Sequence, residues 1–432
     1  MKLSQLQLPP TDASRRTFLK RSAAAAAVAG FGADAAFAAD EVVRIGYVSP
    51  KTGPFAPFAE ADEFILQEVR KAVARGLTIG GKTYKVEILS RDDQSREDRA
   101  SNLAAELINK DGVDLMLSQG ALTVVGVSQQ CELNGVPSVS TMTPWQAWMF
   151  PMKSDPGKGF KSAFHFFWGI DDIGNVYLDI WNGQPTNKVV GSVFSNDLPG
   201  NAMGDLKLGM PGQFSKAGYK VVDIGKYPVG ADDFSSYIQA FKKENVEIVT
   251  GLFGPPEWAS FLKQSSQMGF KPKVATVAKA LLFPGGVAAL GPQAEGMSTE
   301  IWWTPAHPFR SSLTGQTARQ LADTYQSATK KEWTQPLGVV HALFETGIAA
   351  LKASGNPKDP KAVADALRKL KQDTVIGQLD FAGSGIKNVS KMRVVGGQWH
   401  VGAAGKPEIF VTHNGTAPEI AVQRGFELLK AG

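Results

Sequence analysis

The residue types that could carry covalent or metal chemistry are present in this 432-residue chain, but they are thinly set. Ser260–Lys263 and Ser327–Lys330 have the Ser-x-x-Lys spacing in which a lysine amine can deprotonate a serine nucleophile. Both fall within amphipathic helical patterns, where i, i+3 neighbours ordinarily form a solvated face. Asp92-Asp93 offers paired carboxylates directly after a strand-like run, a place where a turn or a cap for the next helix is the commoner use. The five histidines, His165, His307, His341, His400 and His413, stand singly, and no His-Glu-x-x-His pair is present, so no metal site is expected. Cys131 is the only cysteine and cannot form an intramolecular disulfide; among Val124, Val125, Val127 and Leu133 it reads as a buried structural thiol. No Gly-x-Ser-x-Gly elbow, P-loop or Gly-x-Gly-x-x-Gly fingerprint occurs. The expectation is a protein with no catalytic set and no cofactor.

What is left is binding, and the elements that would position a binding site are readable. Val42–Ser49, Tyr84–Ser90, Asp114–Ser118 and Val136–Ser140 read as strands, with helical patterns at Glu60–Arg75 and Arg99–Lys110 between them. After a polar, glycine- and aromatic-rich stretch at Lys153–Gly169 the rhythm restarts. Strands are expected at Lys188–Phe194, Tyr219–Ile224, Glu247–Leu252 and Lys273–Val277, with helices at Phe234–Glu244 and Trp258–Met268. Long helical patterns follow at Gln316–Thr329, Gly338–Ala353 and Pro360–Leu370, then strand-like segments at Val375–Phe381, Lys391–Val395 and Glu408–Val411. Repeated βαβ of this kind requires an α/β fold with parallel sheets covered by helices, and ligands then bind beyond the carboxyl ends of the strands.

Ser14-Arg15-Arg16-Thr17-Phe18-Leu19-Lys20, the apolar run Ala23–Gly32 and Ala36-Phe37-Ala38 together resemble a twin-arginine export signal. With cleavage after Ala38 the mature chain would be a periplasmic protein without a stable membrane anchor, because the apolar run is too short to span a bilayer. The sequence pI is near 9.0, yet residues 1–38 carry five bases against two acids and hold +3 of the overall +5. The remaining +2 argues against nucleic acid as a partner.

The strand-end loops carry a resemblance. Ile45-Gly46-Tyr47-Val48-Ser49-Pro50-Lys51-Thr52-Gly53-Pro54-Phe55-Ala56-Pro57-Phe58, Leu117-Ser118-Gln119-Gly120-Ala121-Leu122-Thr123 and Val136–Pro144 are similar in kind and order to those of the leucine- and branched-chain-amino-acid-binding proteins of ABC importers. Phe234–Val249, Ala294-Glu295-Gly296-Met297 and Thr374–Phe381 with Gln398-Trp399-His400 extend the resemblance over nearly all of the mature chain. It implies two Rossmann-like lobes with parallel central sheets and a hinge of three crossings. Residues 39–163 and 299–373 would form the first lobe; 164–298 and 374–432 would form the second, with the hinge return. It also implies a small-molecule ligand held in the cleft, permease subunits as membrane partners and the twin-arginine translocase during export.

Carried over by the resemblance, the ligand contacts would be Phe58, Gly120, Ala121, Leu122, Thr123, Thr141, Met142, Thr143 and Phe253; Trp145 and Gly200 are further candidates, Gly200 in Asn196-Asp197-Leu198-Pro199-Gly200-Asn201, where the family commonly has an aromatic. Trp145, Trp148, Phe166, Phe167 and Trp168 would either stack on a flat ligand or pack the hinge. Where many amino-acid binders place a carboxylate for the ligand ammonium, this chain has Ala278-Lys279-Ala280. A lysine repels an ammonium and pairs with a carboxylate, so the expected ligand is an amino acid of atypical kind or a small organic acid, aromatic acids included. The alternatives are a sensor that presents its ligand-bound form to a membrane receptor and an enzyme exported by the same route.

Overall fold

The computed structural model describes residues 41–430 except 122, 403 and 404; the export-signal residues, Arg15 and Arg16 among them, lie outside this range. The chain runs β1 (Val42–Ser49), α1 (Asp62–Ala72), β2 (Leu77–Ile79), β3 (Lys82–Asp92), α2 (Glu97–Asn109), β4 (Leu115–Gln119), α3 (Val124–Asn134), β5 (Ser138–Thr141), α4 (Trp145–Met149) and β6 (Ala163–Phe166). A second series follows: α5 (Ile170–Trp181), β7 (Val189–Phe194), α6 (Leu198–Met203), α7 (Met210–Lys216), β8 (Lys220–Asp223), α8 (Ser235–Lys243), β9 (Ile248–Phe253), α9 (Pro255–Gln267), β10 (Val274–Lys279), α10 (Pro284–Leu290) and β11 (Ser298–Ile301). The third block is α11 (Ala318–Thr329), α12 (Gln335–Ala353), α13 (Pro360–Lys369), β12 (Lys371–Thr374), β13 (Gly377–Asp380), β14 (Val389–Ser390), β15 (Val395–Val401) and β16 (Pro407–His413).

Two seven-stranded sheets result, ordered β14-β6-β5-β4-β1-β3-β2 and β16-β15-β11-β10-β9-β7-β8. Each has the doubly wound arrangement in which the strand order reverses beside its first strand, β1 or β7. The central pairs are parallel, with Ile45 opposite Leu115 and Val190 opposite Ile248. Helices cover both faces, so β1, β4, β5 and β9 are buried along nearly their whole length and read as apolar runs rather than alternating ones. This is the α/β two-lobe fold expected.

Local chemistry sets the helices that shape the lobes. In α1, Glu63 occupies the first turn while Arg70 and Lys71 occupy the last, each sign complementing the end of the helix dipole it sits on. Helix α11 opens with a reciprocal capping box, Gln320 N donating to Thr317 Oγ1 at 3.1 Å and Thr317 N donating to Gln320 Oε1 at 2.9 Å. Helix α12 is buried on all sides and packs against α1, β4 and β5 of the first sheet. At Gly338 of α12 a Cβ would stand 2.4 Å from the Trp303 ring, so only glycine lets Trp303 lie against the helix there.

The last part of the chain departs from the expected division. Within 374–432, expected in the second lobe, β13 pairs with β12 as a hairpin, and β14 extends the first sheet through Val389 opposite His165. Only from Val395 does the chain join the second sheet, where β15 pairs antiparallel with β11. Lys391–Val395, expected as a strand, is irregular over residues 391–394, and β15 begins only at Val395. Likewise β6, within the stretch read as a polar connection, is a fully buried strand of the first sheet. The chain thus passes between the sheets after β6, after β11 and after β14. The passages touch one another: Phe167 N donates to Ser390 O at 3.2 Å, and the Phe167 and Trp302 rings meet edge-on at 5.0 Å.

Candidate functional site

The carboxyl ends of both sheets face one narrow cavity of about 50 Å³. From the first lobe it is lined by Phe55 and Phe58 after β1, Ala121 after β4, Met142 and Pro144 after β5, and Phe167 and Trp168 on the first passage. From the second come Pro199 and Met203 in α6, Leu252 at the end of β9, Ala278 and Lys279 at the end of β10, Leu282, Glu300 in β11, and Trp302 on the second passage.

The walls are aromatic and mutually braced. Phe58 meets Phe283 of the second lobe edge-on at 4.9 Å and lies 6.2 Å from Trp302; Trp168 is 4.6 Å from Phe167 and 6.1 Å from Trp302. Phe58 is fixed from behind because Gln119 Nε2 donates to its carbonyl at 3.3 Å. Phe55 is held by Ser95 Oγ, which accepts from Phe55 N at 3.0 Å and donates to Thr52 O at 2.8 Å. The indole N–H groups of Trp168 and Trp302 are buried without a partner among the described residues, a costly state unless something in the cavity accepts from them.

Two charged side chains line this cavity. Lys279 Nζ stands 5.0 Å from the centre of the Phe55 ring, a cation–π contact across the cleft. Glu300 is 1 % exposed, and its Oε2 lies 2.7 Å from the Tyr177 hydroxyl and 2.9 Å from Thr299 Oγ1. Burial pushes its carboxyl up to about 7, opposed by its polar neighbours Tyr177, Thr299 and Trp302. Lys279 (φ 66°) and Met142 (φ 70°) are both non-glycine residues in the left-handed region, at equivalent strand ends of the two lobes. Such a conformation costs of the order of 1–3 kcal/mol and persists where the surroundings over-determine it, commonly at ligand clamps.

Of the residues expected to touch a ligand, the structure brings Phe58, Ala121, Met142 and Lys279 into the cavity. Leu122 lies outside the described residues. The three threonines are turned elsewhere. Thr141 Oγ1 donates to Phe166 O at 2.8 Å, and Thr143 Oγ1 lies 2.7 Å from Ala121 O and 3.2 Å from Gly120 O, so both hydroxyls tie strand-end loops together. Thr123 is 2 % exposed at the start of α3 and makes no side-chain cap there. Its Oγ1 sits 2.7 Å from where a Cβ on Gly120 would be; Gly120 itself, at φ 141°, supplies the bend and does not line the cavity.

Trp145, Gly200 and Phe253 also stand outside it. Trp145 packs with Val124, Val125, Trp148 and Met149 in a first-lobe cluster and supports Trp168 through its backbone N–H, which donates to Trp168 O at 3.3 Å. Gly200 donates to the Asp197 cap at 2.8 Å, while its neighbours Pro199 and Met203 reach the cleft. Phe253 belongs to the second lobe's aromatic core, stacked on Tyr227 at 5.6 Å and 5.0 Å from Trp258. Strand alternation puts Leu252 at the cavity in its place. Glu300, Trp302, Met203 and Leu282 were not singled out by sequence. The acidic–aromatic run Glu300-Ile301-Trp302-Trp303 at a passage between lobes was the available signal.

The candidates for chemistry elsewhere are structural. Ser260 and Lys263 lie on the outer part of α9, and Ser327 and Lys330 are exposed. Asp92 accepts from Thr52 Oγ1 at 2.7 Å and Gln94 N at 2.9 Å, and Asp93 accepts from Ser95 N at 2.8 Å, so the pair builds the turn that carries Phe55. Cys131 is fully buried, and burial pushes its thiol up to about 12, leaving it unreactive. Among the described residues no histidine lines the cavity. Among the described residues no helix is long and apolar enough to cross a membrane.

Comparison with known proteins agrees with this architecture. The family model described as "Periplasmic binding protein" matches residues 42–404. A Leu/Ile/Val-binding protein homolog 6 of Brucella suis biovar 1 is 26 % identical over 301 residues, spanning 66 % of this chain and 69 % of its own. Among solved structures, a leucine-binding protein of Thermotoga maritima superposes with a TM-score of 0.68 at 19 % identity, covering 85 % of this chain and 97 % of that one. An ABC-transporter solute-binding protein of Rhodopseudomonas palustris BisB5 in complex with 3,4-dihydroxybenzoic acid gives 0.65 at 17 % identity, covering 85 % and 95 %. A two-lobed α/β architecture, a cleft at the strand ends and a match over most of the sequence converge: the chain belongs to the periplasmic binding protein family, whose members bind substrates rather than transform them.

Proposed function

We propose that this protein is the substrate-binding component of an ABC importer. It captures a small carboxylic acid, with aromatic acids preferred over aliphatic amino acids, by closing its lobes, and delivers it to a membrane permease. The observation that carries this reading is the cavity itself: a box of Phe55, Phe58, Phe167, Trp168 and Trp302, with Lys279 as the one cation lining it among the described residues. Flat rings stack and pack edge-on in such a box, and Lys279 supplies the counter-charge for a carboxylate. Closure follows from contacts made by both lobes at once, which exist only when the lobes are together. Similar structures hold aromatic acids, benzoate and 4-hydroxybenzoate among them, and one holds isoleucine.

Native mass spectrometry of gently purified protein is expected to show a small acid released on denaturation, and titration calorimetry is expected to rank aromatic monocarboxylates above leucine and valine. Tight leucine binding with no response to aromatic acids would overturn this ligand class. Export is proposed to run through the twin-arginine translocase. Replacing Arg15-Arg16 by Lys-Lys is then expected to leave folded, ligand-competent protein inside the cell, visible by fractionation; unchanged secretion would show another route.

A further inference from the structure

Resting on that reading of the cleft, we propose that Glu300 is its specificity-determining residue. Its Oε1 accepts a hydrogen bond from a hydroxyl or amino group on the ring of an aromatic monocarboxylate whose carboxylate faces Lys279.

The argument is a count of protons. Thr299 Oγ1 lies 2.9 Å from Val277 O and 2.9 Å from Glu300 Oε2. A threonine hydroxyl has one proton, and a backbone carbonyl only accepts. With the Thr299 proton on Val277 O, the contact to Glu300 is completed by a proton on Oε2. Oε2 in turn accepts from the Tyr177 hydroxyl at 2.7 Å. Both contacts therefore fall on Oε2, and they fix the orientation of the carboxyl group from α5 on one side and from its own strand on the other. Both bonds of the carboxyl, to Tyr177 and Thr299, are on Oε2, while the indole N–H of Trp302, itself without a bonded partner, lies close enough to the carboxyl to favour its charged form; among the described residues Glu300 is the one carboxyl lining the cavity, and its Oε1 is left for a ligand donor.

An Oε1 left in this way is a pure acceptor, held rigidly in an apolar wall. The raised carboxyl, at about 7 through burial, agrees with the proton assignment. The chemical consequence is selectivity. A ligand that brings a donor satisfies Oε1; one that brings an ether oxygen sets two acceptors against each other, and one that brings only C–H leaves Oε1 buried and unpaired. Glu300 therefore sorts ring substituents, while the aromatic box and Lys279 bind what all aromatic acids share.

The test is calorimetric titration of the full chain with benzoate, 3- and 4-hydroxybenzoate and their methoxy counterparts, on the wild type and on Glu300→Leu and Glu300→Gln. In the wild type at least one hydroxybenzoate should bind about tenfold or more tightly than its methoxy counterpart. Glu300→Leu should bring that ratio close to one while benzoate still binds. Glu300→Gln, which keeps a carbonyl acceptor, should preserve most of the preference. Equal binding of hydroxy and methoxy acids by the wild type, or an unchanged ratio in Glu300→Leu, overturns the proposal alone. Failure of every aromatic acid to bind the wild type overturns the reading of the cleft, and this proposal with it. Should Glu300→Leu fail to fold, the wild-type ratio and Glu300→Gln still decide.

Discussion

Lys279→Gly is expected to abolish binding of a carboxylate ligand, by about 100-fold or more in Kd, while leaving the protein as stable as before or more so. The two effects have separate causes. Among the described residues Lys279 is the only cation lining the cavity, and removing one partner of a desolvated charge pair costs about 2–5 kcal/mol of binding, mostly through faster dissociation. Its backbone, at φ 66°, is in a region that costs an L-residue roughly 1–2 kcal/mol and glycine almost nothing. Loss of the 5.0 Å contact with Phe55 offsets part of that gain, about 0.5–1 kcal/mol. The checks are a thermal melt without ligand and calorimetry with benzoate. A variant that melts at the wild-type temperature or above and binds within threefold of wild type would remove Lys279 from the site. The expected divergence of stability and affinity is characteristic of a residue held in strain for function.

The second large effect concerns the framework behind the cleft. Glu345 of α12 is 1 % exposed and accepts three hydrogen bonds: from Ser312 N at 2.5 Å and Ser312 Oγ at 2.8 Å on Oε1, and from Val375 N at 3.0 Å on Oε2. It thereby ties two segments distant in the chain to one helix, and Val375 O in turn accepts from Trp303 Nε1 at 3.1 Å, next to the cavity wall. Glu345→Leu leaves the buried Val375 N–H unpaired, at about 1–3 kcal/mol, while the N–H of exposed Ser312 can turn to water. For a chain of this length the thermal midpoint is expected to fall by roughly 1–4 °C. A change of less than about 1 °C would show that the network carries no net stability.

The pH dependence of that penalty has a definite sign. Burial raises the Glu345 carboxyl to about 7, with the bonds from Val375 and Ser312 opposing. A group raised in the folded state contributes stability that is fully present below its unfolded value of about 4.3 and is lost as pH rises through about 7. The gap between wild type and Glu345→Leu should therefore be wider at pH 5 than at pH 8. Comparing the two proteins at each pH removes the opposite contribution of His165, His307 and His341. Burial lowers these imidazoles to about 3, 3 and 4, so their contribution is present above pH 6.5 and fades as pH falls towards those values. A gap that widens towards pH 8 would contradict the assignment.

How much of this was legible beforehand depended on how far apart the deciding residues lie. Strand β1 could be read residue for residue, because an apolar β-branched run ending at Pro50 allows little else. Strand β6 is four residues long and buried throughout, too short for a period, and it disappeared into the connection around it. Strand β15 begins Val395-Gly396-Gly397 and carries Gln398 and His400; two glycines and buried polar groups conceal a strand whose Gln398 is paid for by bonds to Gly296 O and Glu427 O. Phe58, Ala121, Met142 and Lys279 could be placed at the site because they follow strand ends, and in a doubly wound sheet all strand ends face one edge.

The hydroxyls of Thr141 and Thr143 show where that reasoning stops. Sequence gives the donor but not its direction, and here the nearest free carbonyls belong to Phe166, Gly120 and Ala121, more than 20 residues away. Phe253 and Leu252 show the same at a strand: alternation sends one to the core and one to the cleft, and only the packing of Tyr227 and Trp258 decides which. Glu300 and Trp302 become a cavity wall only when β11 closes on the second sheet and Trp302 meets Phe58 and Phe167, more than 130 residues earlier. By itself the sequence determined the class of fold, the lack of a catalytic set and the presence of a cationic, aromatic cleft, because backbone preference and burial act over short windows. The tertiary structure alone decided which polar groups are spent on the framework and which are left for a ligand, because a hydrogen-bonding group takes its partner from whatever segment folding brings within 3 Å.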